Sequence, residues 1–244
     1  MLSFLVEDWA VWGTNVTGQE TQLRDMNGGE KPLNVPDMRD FPASIRRRLS
    51  PCGRLAMRVA WDLKSNEETQ LVFSSRFGDC NQTVALLKDI AWDEPVSPAL
   101  FSASVHNAHA ALMSIACNNK LPHTALSAGV ASFGAGLIEA ITQALDAPER
   151  KILLVYYDEP VSDFYERKTS VSCEKFAVAI KLMASKKKDV EDDHKTLFKM
   201  EIRDGQTATK EDPAITFVEF LSGNRDRWVW SDGFTQWVCC KISS

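Results

Sequence analysis

The chain is 244 residues long, and no apolar run in it approaches the ~20 residues that a bilayer-crossing helix requires. The N-terminal stretch meets acid at Glu7 and has no basic segment ahead of its apolar residues, so a secretory leader is not expected. The six cysteines contain no C-x-x-C pair; Cys239-Cys240 reads as a strand end, and a reduced, cytoplasmic protein is the simplest account. Basic excess is missing too. A net charge of −5 argues against nucleic-acid binding, which rests on neutralising phosphates. The local cluster Arg46-Arg47-Arg48, with Arg54 and Arg58, reads as a solvated helix face before it reads as an anion site. Asn15-Val16-Thr17 matches a glycosylation sequon, which without a secretion signal carries no weight. No internal repeat and no low-complexity tract stands out.

Catalytic signatures are equally sparse. There is no G-x-S-x-G, so a serine-hydrolase elbow of the usual kind is absent. Gly134-Ala135-Gly136 lacks the third glycine of a dinucleotide fingerprint and falls within a predicted helix. Of the four histidines, His106 and His109 stand one helical turn apart, a spacing open to metal ligands, but no carboxylate or cysteine lies at ligand spacing beside them. His123 and His194 have no evident partner, and Asp158-Glu159 reads as a solvated turn at a strand end. No metal and no cofactor is expected.

What the chain does contain is periodic structure. Residues 2–12 suggest a first strand. Helical spacing runs over Ser44 to Lys64, interrupted at Pro51-Cys52-Gly53. Thr69 to Ser75 reads as a strand, and Asp79 to Ala91 as a helix with Val84, Leu87 and Ile90 on one face. Phe101 to Cys117 reads as a helix that is apolar through Val105, Ala108, Leu112 and Ile115. Lys151 to Tyr157 is the near-continuous apolar run of a strand buried on both faces. Beyond it come strands at Phe176–Met183 and Leu197–Ile202, a charged loop at 186–193, a helix at Ala214–Ser222, and a closing hairpin from Trp228–Trp230 and Gln236–Ile242. Strands alternating with helices predict an α/β domain with a mostly parallel mixed sheet and helices on its faces.

The most informative stretch is Pro122 to Leu145: a short strand, a turn of small residues, then an amphipathic helix. This is the layout of a nucleophile elbow, which raises one side chain at a helix N-terminus. The position where a nucleophile belongs holds Val130. The small residues from Ser127 to Gly136 permit close backbone approach, either to a ligand or to another chain.

With those residues in view, the chain resembles the N-terminal half of a β-ketoacyl synthase, a thiolase-like fold. Pro98 to Asn107 matches one segment of the family pattern and Ala128-Gly129-Val130-Ala131-Ser132 the elbow, where the family carries a cysteine. Phe73–Gly78, Phe101–Asn107 and Leu154–Pro160 are similar to a narrower group, the short chain length factors of bacterial aryl polyene biosynthesis. The likeness is strongest over 46–160 and fades over 184–244, and 1–244 is read as one ketosynthase-like domain whose second half is missing or truncated.

The resemblance implies a non-catalytic subunit. Val130 offers no thiolate to an acyl group, and none of the four histidines stands where the family's second half supplies its bases. It implies pairing with a ketosynthase across the strand before the elbow, with His106, Asn107, Thr124, Ala125, Leu126, Ser127, Ala128 and Phe133 as interface residues. Val130 is expected to fill the former nucleophile pocket. Arg76, Phe77, Cys80, Asn81 and Phe101 become the residues that close the partner's acyl tunnel, and an acyl carrier protein is reached only through the complex. Two alternatives stay open. One is a diverged acyltransferase or thioesterase using Ser127 or Ser132 with His106 or His123; the other is a homodimeric scaffold.

Overall fold

The computed structural model describes residues 2–13, 36–64, 69–161, 175–185 and 196–242. His194, the charged loop, Cys173 and the sequon lie outside the described residues. One eight-stranded sheet, in the order β3-β2-β4-β5-β1-β6-β8-β7, organises everything described. The strands are β1 (Leu2–Gly13), β2 (Thr69–Ser74), β3 (His123–Leu126), β4 (Lys151–Asp158), β5 (Phe176–Ala184), β6 (Thr196–Asp204), β7 (Arg227–Ser231) and β8 (Thr235–Ile242). Residues 196–242, where the family likeness was expected to fade, thus continue the same sheet.

The mixed sheet is as expected, but its parallel part is smaller than the alternation of elements predicts. Only β2 with β3 and β2 with β4 pair in parallel; the other five pairings are antiparallel. The physical reason is connectivity. A parallel pair needs a crossover, and the helices α3 (Cys80–Ala91), α4 (Pro98–Ala103), α5 (Ala108–Ala116) and α6 (Ser132–Asp146) supply those crossovers between β2, β3 and β4. The strands that follow are laid down antiparallel, and β7 and β8 form the expected hairpin.

Alternation along the central strands builds two cores. Ile152, Leu154 and Tyr156 of β4 face one of them, together with α6 and α7 (Pro213–Leu221), while Leu153, Val155 and Tyr157 face the other, with α2 (Pro51–Asp62) and α5. β5 places Phe176, Val178, Ile180 and Leu182 on the first face but Ala177 and Ala179 on the second, leaving α2 room to lie close to the sheet. On the first face Phe133 stacks edge-on to Tyr156 and Trp228, with centroids 5.4 and 5.9 Å away.

A break separates two helices as expected, but it falls just ahead of Pro51-Cys52-Gly53: α1 (Ala43–Arg46) ends before it, and Pro51 opens α2 behind the cap Ser50, whose hydroxyl accepts from the Gly53 N–H at 2.9 Å. Arg58 is committed to Asp40 at 2.9 Å and to Asp62, so it is not part of an anion site with the exposed Arg47 and Arg48. The predicted helix over Phe101–Cys117 is two helices, α4 and α5, separated at Ser104–Asn107. No helix among the described residues is long and apolar enough to cross a membrane.

Candidate functional site

Two turns leave the C-terminal ends of neighbouring parallel strands, where open α/β sheets place their ligands. The first follows β3. Ala128 turns the chain, Gly129 takes a φ of +57°, and Gly129–Ala131 form a single 3-10 turn that runs into α6. Ser132 locks this elbow: its hydroxyl donates to the Gly129 carbonyl at 2.7 Å and accepts from the Ala128 N–H at 2.9 Å. Its own carbonyl accepts from Ser74 Oγ at 2.7 Å.

The elbow geometry is there, and it presents no nucleophile. Val130 is 42% exposed, so it does not fill a pocket as expected; the 3-10 turn carries it outward, away from both cores. The hydroxyls of the acyltransferase alternative are already engaged: Ser132 as above, and Ser127 with the Arg76 carbonyl at 3.0 Å. The histidines named for that reading are elsewhere, His106 on the Leu126 carbonyl at 2.8 Å and His123 at the start of β3.

The small residues serve close approach within the chain. A Cβ at Gly136 would lie 2.7 Å from Ser74 Cβ, and one at Gly134 would lie 2.9 Å from the Trp237 ring. Phe133, expected at a partner interface, is fully buried, because the first turn of α6 faces the aromatic core. The remaining interface residues do lie along one margin. Thr124, Ala125 and Leu126 are half-buried in β3, the edge strand, whose only pairing among the described residues is to β2. Ser127, Ala128 and Asn107 are exposed, and His106 is half-buried against β3.

The second turn, residues 75–79, joins β2 to α3, and here the polar chemistry is buried. Asp158, at the end of β4, is 2% exposed. Its carboxylate accepts from Ser75 Oγ at 2.9 Å, from the Arg76 N–H at 3.0 Å and from the Phe77 N–H at 3.2 Å. Ser75 Oγ in turn accepts from the Gly78 N–H at 2.7 Å. Gly78 has a φ of +56°, and a Cβ there would lie 2.7 Å from His106 Nδ1.

At the far end of the turn, Asp79 accepts from Ser50 Oγ at 2.5 Å and lies 3.0 Å from His109 Nε2, while His109 Nδ1 meets the Tyr157 hydroxyl at 3.2 Å. His106 and His109 therefore serve different partners and do not form a metal pair. Cys52, Asp79 and Glu159 each bring a ligand atom within 4.8 Å of the others, but both Asp79 oxygens are already satisfied by protein groups.

Burial pushes the carboxyls of Asp158 and Glu159 above the usual carboxylate range, against the hydrogen bonds that favour their charged forms; for Glu159 the Asp79 charge adds to the rise. Burial, with the Glu159 charge, also raises the Cys80 thiol.

Arg76, Phe77, Cys80 and Asn81 are brought together on this turn and the start of α3, all half-buried. Arg76 lies over the Phe77 ring at 4.7 Å, and the Asn81 amide donates to Glu159 at 3.1 Å and to the Pro160 carbonyl at 2.8 Å. Phe101 stands apart on α4 and is 59% exposed.

Asp158-Glu159, read from the sequence as a solvated turn, is instead buried at Asp158 and half-buried at Glu159, because the turn after β2 folds over the end of β4; Asp79 was missed. Asp158 follows an apolar run without any intervening turn residue, and that abruptness was the available signal. The turn is also flanked by unexpected exposure. Leu87 and Ile90 of α3, with Val105 and Ile115 beside and on α5, were read as the apolar sides of helices, and each is more than half exposed. The buried side of α3 runs instead through Val84 and Leu86.

A mixed sheet layered between helices, with an elbow at the end of a parallel edge strand, defines a thiolase-like, ketosynthase-like scaffold. The chain belongs to the β-ketoacyl synthase N-terminal domain family, which it matches over residues 12–238, well beyond the 46–160 where the likeness was strongest. No curated protein matches it. Among solved structures, a chain from the complex of the ketosynthase ApeO with its chain length factor ApeC from Xenorhabdus doucetiae superposes with a TM-score of 0.78. That match is 23% identical and covers 98% of this chain and 100% of that one. A chain of the ishigamide ketosynthase/chain length factor gives a TM-score of 0.60 at 14% identity, covering 90% of this chain and 72% of that one. A chain from the AntDE:AntF complex, a type II polyketide acyl-carrier protein with its ketosynthase bound to the hexaketide, gives 0.59 at 11% identity, with 93% and 76% covered.

Proposed function

We propose that this chain is a non-catalytic chain length factor, a cytoplasmic subunit that pairs with a ketosynthase and closes the far end of its acyl tunnel. The observation that carries the reading is the elbow: its backbone is held by Ser132, yet Val130 stands at the nucleophile position and no described histidine is hydrogen-bonded to an elbow hydroxyl. An elbow of this kind performs no acyl transfer by itself.

Two further features support a partner. β3 leaves one edge unpaired among the described residues, and Leu87, Ile90, Trp92, Phe101 and Val105, each more than half exposed, lie on or beside the helices between β2 and β3. The full-length similarity to a chain of the ApeO–ApeC complex points in the same direction, and the aryl polyene system is the one that the segments Phe73–Gly78, Phe101–Asn107 and Leu154–Pro160 resemble.

In this reading the partner supplies the cysteine and receives acyl groups from the carrier protein, so this chain meets the carrier protein only through the complex. Chain length becomes a steric matter, set by Arg76, Phe77, Cys80 and Asn81, with Phe101 nearer the interface. Co-expression with a ketosynthase and analysis of the products tests it. Phe77→Ala should lengthen the product; a chain that stays apart from the ketosynthase and leaves product length unchanged would overturn the proposal.

A further inference from the structure

The turn that carries Phe77 is built differently from an ordinary surface turn. Its N-terminal end sits on a buried carboxylate, Asp158, which takes two consecutive backbone N–H groups and a hydroxyl; its C-terminal end, Asp79, is gripped by Ser50 and His109. Leu126 at the end of β3 and Ser127 of the elbow hold its first two residues, through the Ser75 N–H at 3.3 Å and the Arg76 carbonyl at 3.0 Å. A charge buried to this degree is costly unless hydrogen bonds to it are made, and packing alone would be served by an apolar residue of the same size. The Tyr156 side chain also bonds Asp158, so the carboxylate is surrounded by donors.

We propose that Asp158 is a positioning residue for Phe77: its carboxylate fixes the Arg76 and Phe77 backbone so that the aromatic ring stands at one depth. This rests on the chain length factor reading, in which Phe77 closes the tunnel. A ring held at one depth gives a sharp length limit, whereas a loose turn gives a blurred one. Asp158 touches no substrate in this account. It acts through the backbone of the turn.

Two variants and two readouts test the assignment. Asp158→Leu removes every acceptor, and Asp158→Asn keeps one oxygen. In the full chain alone, amide hydrogen exchange at Arg76 and Phe77 should accelerate by about tenfold or more in Asp158→Leu, as expected when a charge-assisted hydrogen bond is lost, and less in Asp158→Asn. The Leu154 amide, in the middle of β4, should keep its wild-type protection. In the complex with a ketosynthase, the products of both variants should spread over several lengths, whereas Phe77→Ala should move a narrow distribution to longer chains with the turn amides still protected.

Wild-type protection of Arg76 and Phe77 in Asp158→Asn and Asp158→Leu would overturn the assignment. So would freely exchanging amides with an unchanged, narrow product distribution. Should Asp158→Leu not fold, Asp158→Asn decides by the same two readouts. If Phe77→Ala itself leaves product length untouched, the chain length reading fails while the exchange data still decide what holds the turn.

Discussion

The turns after β2 and β3 leave the same end of the sheet, side by side, and are opposites in chemistry. The elbow after β3 is exposed from Ser127 to Val130, and a Cβ added at Gly129 would meet no atom within 4 Å. The turn after β2 contains or touches two carboxylates that are 5% and 2% exposed, Asp79 and Asp158, and its glycine is pressed against an imidazole. In condensing enzymes the first would hold the reactive atom. Here the buried carboxylates are all at the second, where they order backbone beside an aromatic ring. In the proposed reading, the scaffold keeps its capacity to position while Val130, an aliphatic side chain, stands where the reactive atom would be.

The contrast can be broken by mutation, most severely on the buried side. A Cβ at Gly53 would lie 2.3 Å from His109 Nε2, so Gly53→Ala must displace the imidazole that holds Asp79. We expect a loss of about 3 kcal/mol in urea unfolding, from overpacking plus a buried carboxylate that loses one of its two partners. Gly129→Ala meets open space and pays only for its left-handed backbone, about 1 kcal/mol. Comparable losses for the two would erase the distinction between a packed turn and an open elbow.

The smallest expected effect is on pH dependence. Asp158 and Glu159 have carboxyls raised by burial, so protonation favours the folded state. Stability from these groups is fully present below the ordinary carboxylate range and is lost as pH rises through their raised values. Thermal unfolding of the wild type and of Glu159→Gln should therefore diverge on acidification, with the wild type gaining relative to the variant as pH falls from neutral into the carboxylate range. A gap that stays constant over that window would mean that Glu159 is not held in its raised state.

Much of the fold was legible because it rests on periodicity. The apolar run at Lys151–Tyr157 could only be a strand buried on both faces, and the β4 pairings to β2 and β5 bear that out. Pro51 announced the boundary between α1 and α2. Pairing direction was not legible, because the alternation of strands and helices predicts crossovers but does not say which strands pair, and five of the seven pairings are antiparallel. Nor was the burial of α3: an apolar stripe at Leu87 and Ile90 looks the same whether it faces a core or awaits a second chain. The elbow was readable from small residues and a following helix. Asp158 was not, since an acid at a strand end is ordinarily solvated, and only the fold reveals that the turn after β2 folds over it.

The most direct test of the central claim is the mass of the assembly formed when this chain is co-expressed with a ketosynthase, measured by sedimentation alongside each chain alone. The account predicts a one-to-one heterodimer in which only the ketosynthase becomes acylated. Separate sedimentation of the two chains, or a complex made only of copies of this chain, would contradict it.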